Sequence, residues 1–265
     1  MRILFVGDVF GQAGRRIVSE HLRPVIEQRG VDLVVVNAEN AAGGFGLTPG
    51  IADELFDQGA HVITTGNHVW DKREIIEYMQ SAPENSHDRP RRVLRPANYV
   101  AGTPGFGFYQ GELPTGQTYA VINLQGRIFM ANLEDPFRTA DALLQKIKAK
   151  VILVDFHAEA TSEKAALGWY LDGRVTAVIG THTHVPTADE RILPGGTAYQ
   201  TDVGMSGPFD SVIGVEKEQI INRFLTGMPG KFEAATANPK MCAAVISCDP
   251  MTGKAYKIQR LMLGE

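Results

Sequence analysis

Short runs of apolar, mostly β-branched residues recur along the chain and restrict its fold more than any other feature. Seven of them lie at 3–6, 33–36, 61–65, 119–124, 151–156, 176–180 and 243–247. Runs that are apolar almost throughout are typical of strands covered on both faces. Helical patterns lie between several of the runs, so we predict an α/β fold with right-handed crossovers wherever neighbouring strands are parallel.

Helix starts are predicted at two places. Asp71 and Glu74 have the spacing of a capping box for a helix over 72–79. Ser162 is the predicted cap of a helix over 163–171.

Two other regions are less regular. Apolar residues after Gly14 fall on one face of a helix, and Pro24 within that pattern predicts a kink or a break. Residues 81–118 are rich in Pro, Gly and Arg without a helical period, which predicts loops and short strands on the rim. We find no linker, so residues 1–265 are predicted to form one domain.

Composition excludes several classes of protein. The chain has 265 residues and a net charge of −4, which argues against a nucleic-acid-coating protein, so we expect no DNA partner. No apolar run approaches the length of a membrane span, and Asp8 ends the first one too early for a signal peptide. Cys242 and Cys248 match no zinc or redox spacing and are expected to be reduced core thiols of a cytoplasmic protein.

Polar side chains follow five of the predicted strands. They are Asp8, Glu39 with Asn40, Asn67 with His68, His157, and His182 with His184. Ligands of open α/β sheets bind at the carboxyl ends of the strands, so these residues should converge. Each has a structural reading when taken alone, Asp8 as a helix cap and a lone histidine as a hydrogen-bonded residue. Their joint occurrence favours a functional site. His182 and His184 would point the same way in extended backbone, and neutral imidazoles are common metal ligands.

The chemistry of this set predicts a metal site. It contains three histidines, two carboxylates and amide oxygens, and no thiolate. This mixture suits iron, manganese or zinc, and it is too rich in nitrogen for calcium or magnesium. Six or seven ligands are too many for one tetrahedral ion, but they fit two ions about 3.5–4 Å apart that share a bridging carboxylate.

Five motifs in this order resemble those of calcineurin-like metallophosphoesterases: GDVFG, NAEN, GNH, the isolated His157 and GTHTH. NAENAAGGFG, TTGNHVWDK, LRPANY and GTHTHVPTADERILPGGTAYQTDVGMSGP resemble more closely the YmdB-like family of bacterial phosphodiesterases, over nearly the whole chain. The resemblance implies a four-layer α/β/β/α sandwich, a two-metal site with iron, and a homo-oligomer. It also implies hydrolysis of phosphodiesters, notably 2′,3′-cyclic nucleotides such as 2′,3′-cyclic AMP.

The resemblance further implies a role for each site residue. One ion would be held by Asp8, Glu39, Asn40 and His184. The other would be held by Glu39, Asn67, His157 and His182, so that Glu39 bridges the two. His68 matches the proton donor of the family. The sequence departs from the wider superfamily at Phe10, where a histidine is usual, and at NAEN, which replaces Gly-Asp-x-x-Asp; the YmdB-like group shares both departures.

These observations predict a dinuclear metal-dependent phosphodiesterase. The ions would bind the phosphate and activate a water, and His68 would protonate the departing ribose oxygen. Two alternatives stay open. One is a regulatory interaction protein that keeps the metal site and acts through an RNA-processing partner, and the other is a phosphomonoesterase.

Three further features have two readings each. The glycines of GDVFGQAG form either a phosphate loop or, as we prefer, a tight turn that lets Asp8 reach the metal. A group of arginines either steers a phosphate or forms a solvated basic loop: Arg89, Arg91, Arg92 and Arg95. Asp202, after a predicted hairpin, is either a turn residue or a partner of the site residues.

Overall fold

Two β-sheets are stacked face to face between two layers of helices in the computed structural model, which describes residues 1–264. The strands are β1 (Arg2–Val6), β2 (Leu33–Asn37), β3 (Val62–Thr64), β4 (Val93–Leu94), β5 (Phe108–Glu112), β6 (Thr118–Gln125), β7 (Val151–His157), β8 (Ala177–Thr181), β9 (Arg191–Ile192), β10 (Ala198–Gln200), β11 (Gly207–Pro208), β12 (Pro239–Cys248) and β13 (Ala255–Leu263). The α-helices are α1 (Gly11–Arg29), α2 (Pro49–Gln58), α3 (Glu74–Gln80), α4 (Pro136–Leu144), α5 (Thr161–Tyr170) and α6 (Lys217–Thr226).

Parallel strands form the centre of both sheets. The first sheet has the order β11-β12-β1-β2-β3-β4, with β13 pairing β12, and β1 to β4 run parallel. The second sheet has the order β5-β6-β7-β8-β10-β9, and β6, β7, β8 and β10 run parallel. The carboxyl ends of the parallel strands in each sheet therefore lie at one edge of that sheet.

Alternate residues of each central strand pack on opposite faces, which explains why the strands are apolar throughout. In β1, Leu4 packs with residues of α1 and α2, whereas Phe5 packs between the two sheets. In β7, Leu153 packs between the sheets and Val154 packs with residues of α4 and α5. This arrangement is the predicted four-layer α/β/β/α sandwich.

All seven predicted strands are present, whereas α1 is not split at Pro24 and two predicted helix caps are wrong. Pro24 lies inside α1 without breaking it in two. Asp71 does not cap α3, because the Arg73 backbone precedes that helix and the Asp71 carboxylate binds His68 instead. Ser162 does not cap α5, because the helix already begins at Thr161.

The rim segment 81–118 contains a 3₁₀ turn at Arg89–Arg92 and the short strand β4, and it adds β5 to the second sheet. Its arginines bind neighbouring groups of the fold, although the side chain of Arg89 stays 40% exposed. Arg91 is buried over the Phe106 ring and donates to the carbonyl of Phe108 at 2.7 Å. Arg95 donates to the carbonyls of Pro104, Pro96 and Thr103. Arg89 pairs with Asp53 and Asp57, and Arg92 stacks on Phe56.

Two predictions from composition can be compared with the structure. Cys242 and Cys248 are both buried and free of a disulfide, as expected for core thiols. Within residues 1–264, no helix combines the length and apolar character that a membrane crossing requires.

Candidate metal centre at the strand ends

The carboxyl ends of strands from both sheets meet at one place, and the predicted site residues lie there. Asp8 follows β1, and Glu39 with Asn40 follows β2. Asn67 follows β3, His157 ends β7, and His182 and His184 follow β8. The sheets therefore bring together residues that are up to 176 positions apart in the sequence, from Asp8 to His184.

The ligand atoms of these side chains form two groups. Glu39, His157 and His182 offer atoms within 4.8 Å of one another, and so do Asp8, Glu39 and His184. The Glu39 carboxylate belongs to both groups.

The two amides extend these groups. The side-chain oxygen of Asn67 lies 3.0 Å from Nε2 of His157 in the first group. Nδ2 of Asn40 lies 3.1 Å from Nε2 of His184 in the second. The resemblance implies the same division of these residues between two ions, and their binding of metal stays a prediction.

Nε2 of His157 has more neighbours than one ring nitrogen can satisfy. Oε1 of Glu39 lies at 3.1 Å, Oδ1 of Asn67 at 3.0 Å and Nδ1 of His182 at 3.0 Å. A ring nitrogen carries either one proton or one lone pair, so it can make only one good hydrogen bond. A cation among these atoms would bind all four of them, and the donor set therefore fits a metal ion.

Buried polar atoms without hydrogen bonds lie in the second group. They are Oδ1 of Asp8 and Oδ1 of Asn40. An unpaired buried oxygen is costly unless it binds an ion or water. Gly66 adds to the close fit, because a side chain there would overlap the ring of His157 and the carboxylate of Glu39.

Each histidine has one ring nitrogen held by an oxygen and the other facing the ligand groups. Nδ1 of His157 lies 2.9 Å from the Thr181 hydroxyl, which itself donates to Asp155. Nδ1 of His184 donates to the carbonyl of Ile213 at 2.8 Å. Such bonds fix the tautomer and the ring orientation of metal-binding histidines.

The third histidine is held by Glu159. Nε2 of His182 lies 3.1 Å from a carboxylate oxygen of Glu159, which leaves Nδ1 facing His157. Neither Glu159 nor Asp155 was predicted from the sequence to belong to the site. The charged position inside the apolar run VILVDF was a signal for Asp155, whereas only the fold shows that Glu159 reaches His182.

Burial and neighbouring charges shift the pKa values of the three histidines and of Glu39. Burial and the proximity of His157 lower the pKa of His182 to about 3, and burial lowers the pKa of His184, so both rings are neutral at pH 7. Burial opposes charge on Glu39 and His157, but their mutual attraction prevails. It lowers the pKa of Glu39 to about 2 and raises that of His157 to about 9.

From the sequence we expected His182 and His184 to lie in extended backbone and to point the same way. The loop that carries them is not extended. Their φ angles are 101° and 66°, a left-handed conformation that is strained for residues other than glycine. The two histidines consequently join different ligand groups.

Asp202 holds this loop. Its carboxylate accepts hydrogen bonds from the backbone and the hydroxyl of Thr183, between the two histidines, at 3.0 and 2.8 Å. It also pairs with the buried Lys164 of α5 at 2.6 Å. Asp202 is thus a partner of the site residues as well as a turn residue that binds the Gly204 backbone.

His68 lies beside the two groups and belongs to neither of them. Nδ1 pairs with the carboxylate of Asp71 at 2.8 Å, and the ring packs edge-on against Phe45 with centroids 5.0 Å apart. The side chain lines the cavity above Glu39 and is 30% exposed, so a substrate can reach it.

A two-sheet sandwich with nitrogen and oxygen donors gathered at its strand ends defines the class of calcineurin-like metallophosphoesterases. Comparison with known families is more specific. The model of the YmdB-like protein family matches residues 4–261, and the chain belongs to that family.

Individual relatives resemble the chain over its whole length. A 2′,3′-cyclic-nucleotide 2′-phosphodiesterase of Bacillus subtilis (strain 168) is 48% identical and covers 100% of this chain, which in turn covers 98% of the relative. The crystal structure of a hypothetical protein from Thermus thermophilus is 44% identical, with a TM-score of 0.91 and 100% of both chains covered. The crystal structure of a novel phosphatase from Mycoplasma pneumoniae is 35% identical, with a TM-score of 0.92. The match covers 100% of this chain and 93% of the other.

Proposed function

We propose that this chain is a dinuclear metal-dependent phosphodiesterase that hydrolyses 2′,3′-cyclic nucleotides such as 2′,3′-cyclic AMP. One observation carries the proposal: two ligand groups share the Glu39 carboxylate while His68 lies next to them with a ring nitrogen available. Phosphodiesterase activity is further supported by the Bacillus subtilis relative, which is 48% identical and carries that activity in its name.

Each ligand group would hold one ion. We assign Asp8, Glu39, Asn40 and His184 to one ion, and Glu39, Asn67, His157 and His182 to the other. When bound, the ions would supply positive charge for the phosphate oxygens and lower the pKa of a coordinated water. We propose iron, with manganese or zinc as alternatives that suit the same donors.

The role proposed for His68 is to give a proton to the leaving oxygen. Asp71 holds Nδ1 and orients the ring, so Nε2 is the nitrogen left to carry the transferable proton. The oxygen of a water bonds to phosphorus as the water releases one proton to solvent, the bond from phosphorus to O2′ breaks, and O2′ takes the proton from His68, which then regains one from solvent. The product is a nucleoside 3′-monophosphate.

We further propose a cytoplasmic homo-oligomer. The buried free thiols of Cys242 and Cys248 support a reducing compartment. A regulatory role through an RNA-processing partner, and an activity on phosphomonoesters, stay predictions of the sequence for which we find no specific structural support.

The experiment that tests the proposal compares His68→Ala with wild type on two substrates. The variant should keep its metals, and its turnover of 2′,3′-cyclic AMP should fall by about 10²–10⁴, the usual loss for a general acid. The loss should be smaller for a nitrophenyl diester, because nitrophenolate departs without a proton. His21→Ala, on α1, is the matched control and should behave as wild type.

Three outcomes would contradict the proposal. Equal slowing on both substrates, or loss of metal, would make His68 a ligand or a positioning residue. Faster turnover of adenosine 3′-monophosphate than of the cyclic diester would favour a phosphomonoesterase. Bound metal without turnover of any phosphate ester in the wild type would favour the regulatory alternative.

A further inference from the structure

The cavity above the ligand groups has an apolar wall that the proposed metal chemistry does not use. Its volume is about 260 Å³, and Phe10, Phe45, Ile213 and Val215 line it together with polar residues that include His68. Phe45 and Ile213 remain 39% and 54% exposed, so their apolar surfaces are accessible to a ligand. Small-molecule sites typically combine such a wall with a few polar groups.

Phe45 is held in a fixed place next to His68. It lies in a turn closed by hydrogen bonds from Gly44 to the carbonyl of Asn40 and from Ala42 to the carbonyl of Gly46. The glycines on either side of it have φ angles of 100° and 80°, which other residues rarely adopt. The backbone therefore presents the Phe45 ring at the cavity with its edge contact to His68, 5.0 Å between centroids.

The chemistry of the substrate connects this ring with the base. In a 2′,3′-cyclic nucleotide the leaving oxygen O2′ is bonded to C2′, and the base is bonded to the adjacent carbon C1′. A base must therefore lie close to the group that protonates O2′. On the basis of the proposed function, we infer that Phe45 forms a nucleobase subsite, in which the base of the cyclic nucleotide stacks on its ring.

The polar groups near this wall indicate little discrimination among bases. The hydroxyl and backbone N–H of Thr183 are both bonded to Asp202. Nδ2 of Asn40 is shared between Glu39 and His184. Stacking accepts any base because every base has a π-face, and purines offer the larger one. The subsite should accept all four bases and favour purines moderately.

The test compares a substrate with a base and one without. Wild type, Phe45→Ala and Phe45→Tyr are assayed on 2′,3′-cyclic AMP and on 1-O-methylribose 2′,3′-cyclic phosphate. Phe45→Ala should lower kcat/KM for cyclic AMP by roughly 5- to 150-fold, the range for loss of one base–aromatic stack, and leave the substrate without a base nearly unchanged. Phe45→Tyr keeps the ring and should retain most of the activity. Phe224→Ala, 85% exposed on α6, is the matched control.

Binding measurements make the subsite testable without turnover. Binding is measured by calorimetry with adenosine 3′-monophosphate and with ribose 3-phosphate. Phe45→Ala should lower the affinity for the nucleotide and leave the affinity for ribose 3-phosphate unchanged. Weaker binding of the nucleotide alone would support the subsite even if wild type hydrolysed neither substrate. Absence of hydrolysis would overturn the proposed function and leave the subsite standing. Equal losses with and without a base would mean that Phe45 only positions His68. Unchanged binding and turnover of the adenine compounds would overturn the subsite.

Discussion

Glu39 is the residue on which the candidate centre depends most directly. Its carboxylate belongs to both ligand groups and also accepts the backbone N–H of His68 at 3.2 Å. Glu39→Gln keeps the shape but removes the negative charge that would offset two cations. We expect loss of at least one metal and of activity, with little loss of fold, because the core strands are apolar independently of this residue.

Metal analysis by mass spectrometry and a urea unfolding curve would check this prediction. Glu112→Gln, an exposed residue of β5, is the matched control. Two bound ions and near-normal turnover in Glu39→Gln would exclude Glu39 as a bridge.

The pKa of His157 predicts how metal binding depends on pH. Glu39 raises this pKa to about 9 against the effect of burial, so the ring is protonated at pH 7. A metal ligand must be neutral, and binding therefore releases a proton. Burial also raises the pKa of Asp8, which acts in the same direction. Affinity for Mn²⁺ should rise by about tenfold between pH 7 and pH 8 and level off above pH 9.

Calorimetric titrations in two buffers of different ionisation enthalpy would count the protons released. Equal heats in both buffers, together with an affinity that does not change with pH, would show that His157 is already neutral when the metal arrives.

The residues of the centre were predictable because each follows an apolar run, where a polar side chain has no role in the core. Their supporting residues were not. Asn37 donates to Asp155 across 118 positions, and Thr181 joins Asp155 to His157. The Asn37 contact forms only when the two sheets are stacked, and the Thr181 contacts form only when β7 and β8 pair, so no local pattern in the sequence shows which residues Asp155 contacts.

At the scale of elements, α5 supports the histidine loop through the Lys164–Asp202 pair. Both side chains are 1% exposed, and Asp202 also holds Thr183. Asp202→Asn leaves the Lys164 ammonium buried without a counter-charge, and breaking such a pair costs about 3–5 kcal/mol. We expect this loss in the free energy of unfolding, and weaker metal binding because the strained backbone at His182 and His184 loses its support.

A double-mutant cycle with Lys164→Met would separate the pair from the loop. The double variant should recover part of the stability that Asp202→Asn loses, because no charge is left buried. It should not recover metal affinity, since Thr183 still lacks the carboxylate. If the losses of stability in Asp202→Asn and Lys164→Met simply added up in the double variant, the two side chains would not stabilise each other.

The turn after β3 brings the first sheet close to the second. A methyl group at Gly66 would overlap the His157 ring and the Glu39 carboxylate. Gly66→Ala should therefore abolish binding of at least one metal while the strands still form. Gly50→Ala, in α2, has open space around the new methyl and should be neutral or stabilising by up to about 1 kcal/mol. Normal metal content in Gly66→Ala would show that the centre can shift to accept it.

The strands were predicted from the sequence more accurately than the start of helix α3. The strands were found because burial on both faces leaves a continuous apolar run. The predicted cap Asp71 failed because its carboxylate pairs with His68, three residues earlier in the chain, and the helix begins only after Arg73. A capping pattern gives the spacing of two residues, and it does not show that a third residue nearby competes for the same side chain.

At the scale of the whole molecule, the two sheets share one core, which is what the prediction of a single domain requires. Ile3 and Phe5 of the first sheet pack in the same cluster as Val121 and Leu153 of the second. We expect both sheets to unfold in one transition. Calorimetric and van't Hoff enthalpies should then agree, and two separate transitions in the metal-free protein would contradict this.

Metal should add to this shared stability, because both sheets contribute to the same ligand group. Glu39 follows a strand of the first sheet, whereas His157 and His182 come from the second, so an ion among them joins the two sheets across the core. An ion that binds only the folded chain stabilises it by about 2.7 kcal/mol per site when its free concentration is about 100 times the dissociation constant. Removing the metal with a chelator should lower the melting temperature, and adding Mn²⁺ back should restore it. Glu39→Gln should show a smaller difference, since it binds fewer ions in either condition. If chelation left the melting temperature of wild type unchanged while metal analysis showed the ions removed, they would have to bind folded and unfolded chains alike, and the two ligand groups would not be the metal centre.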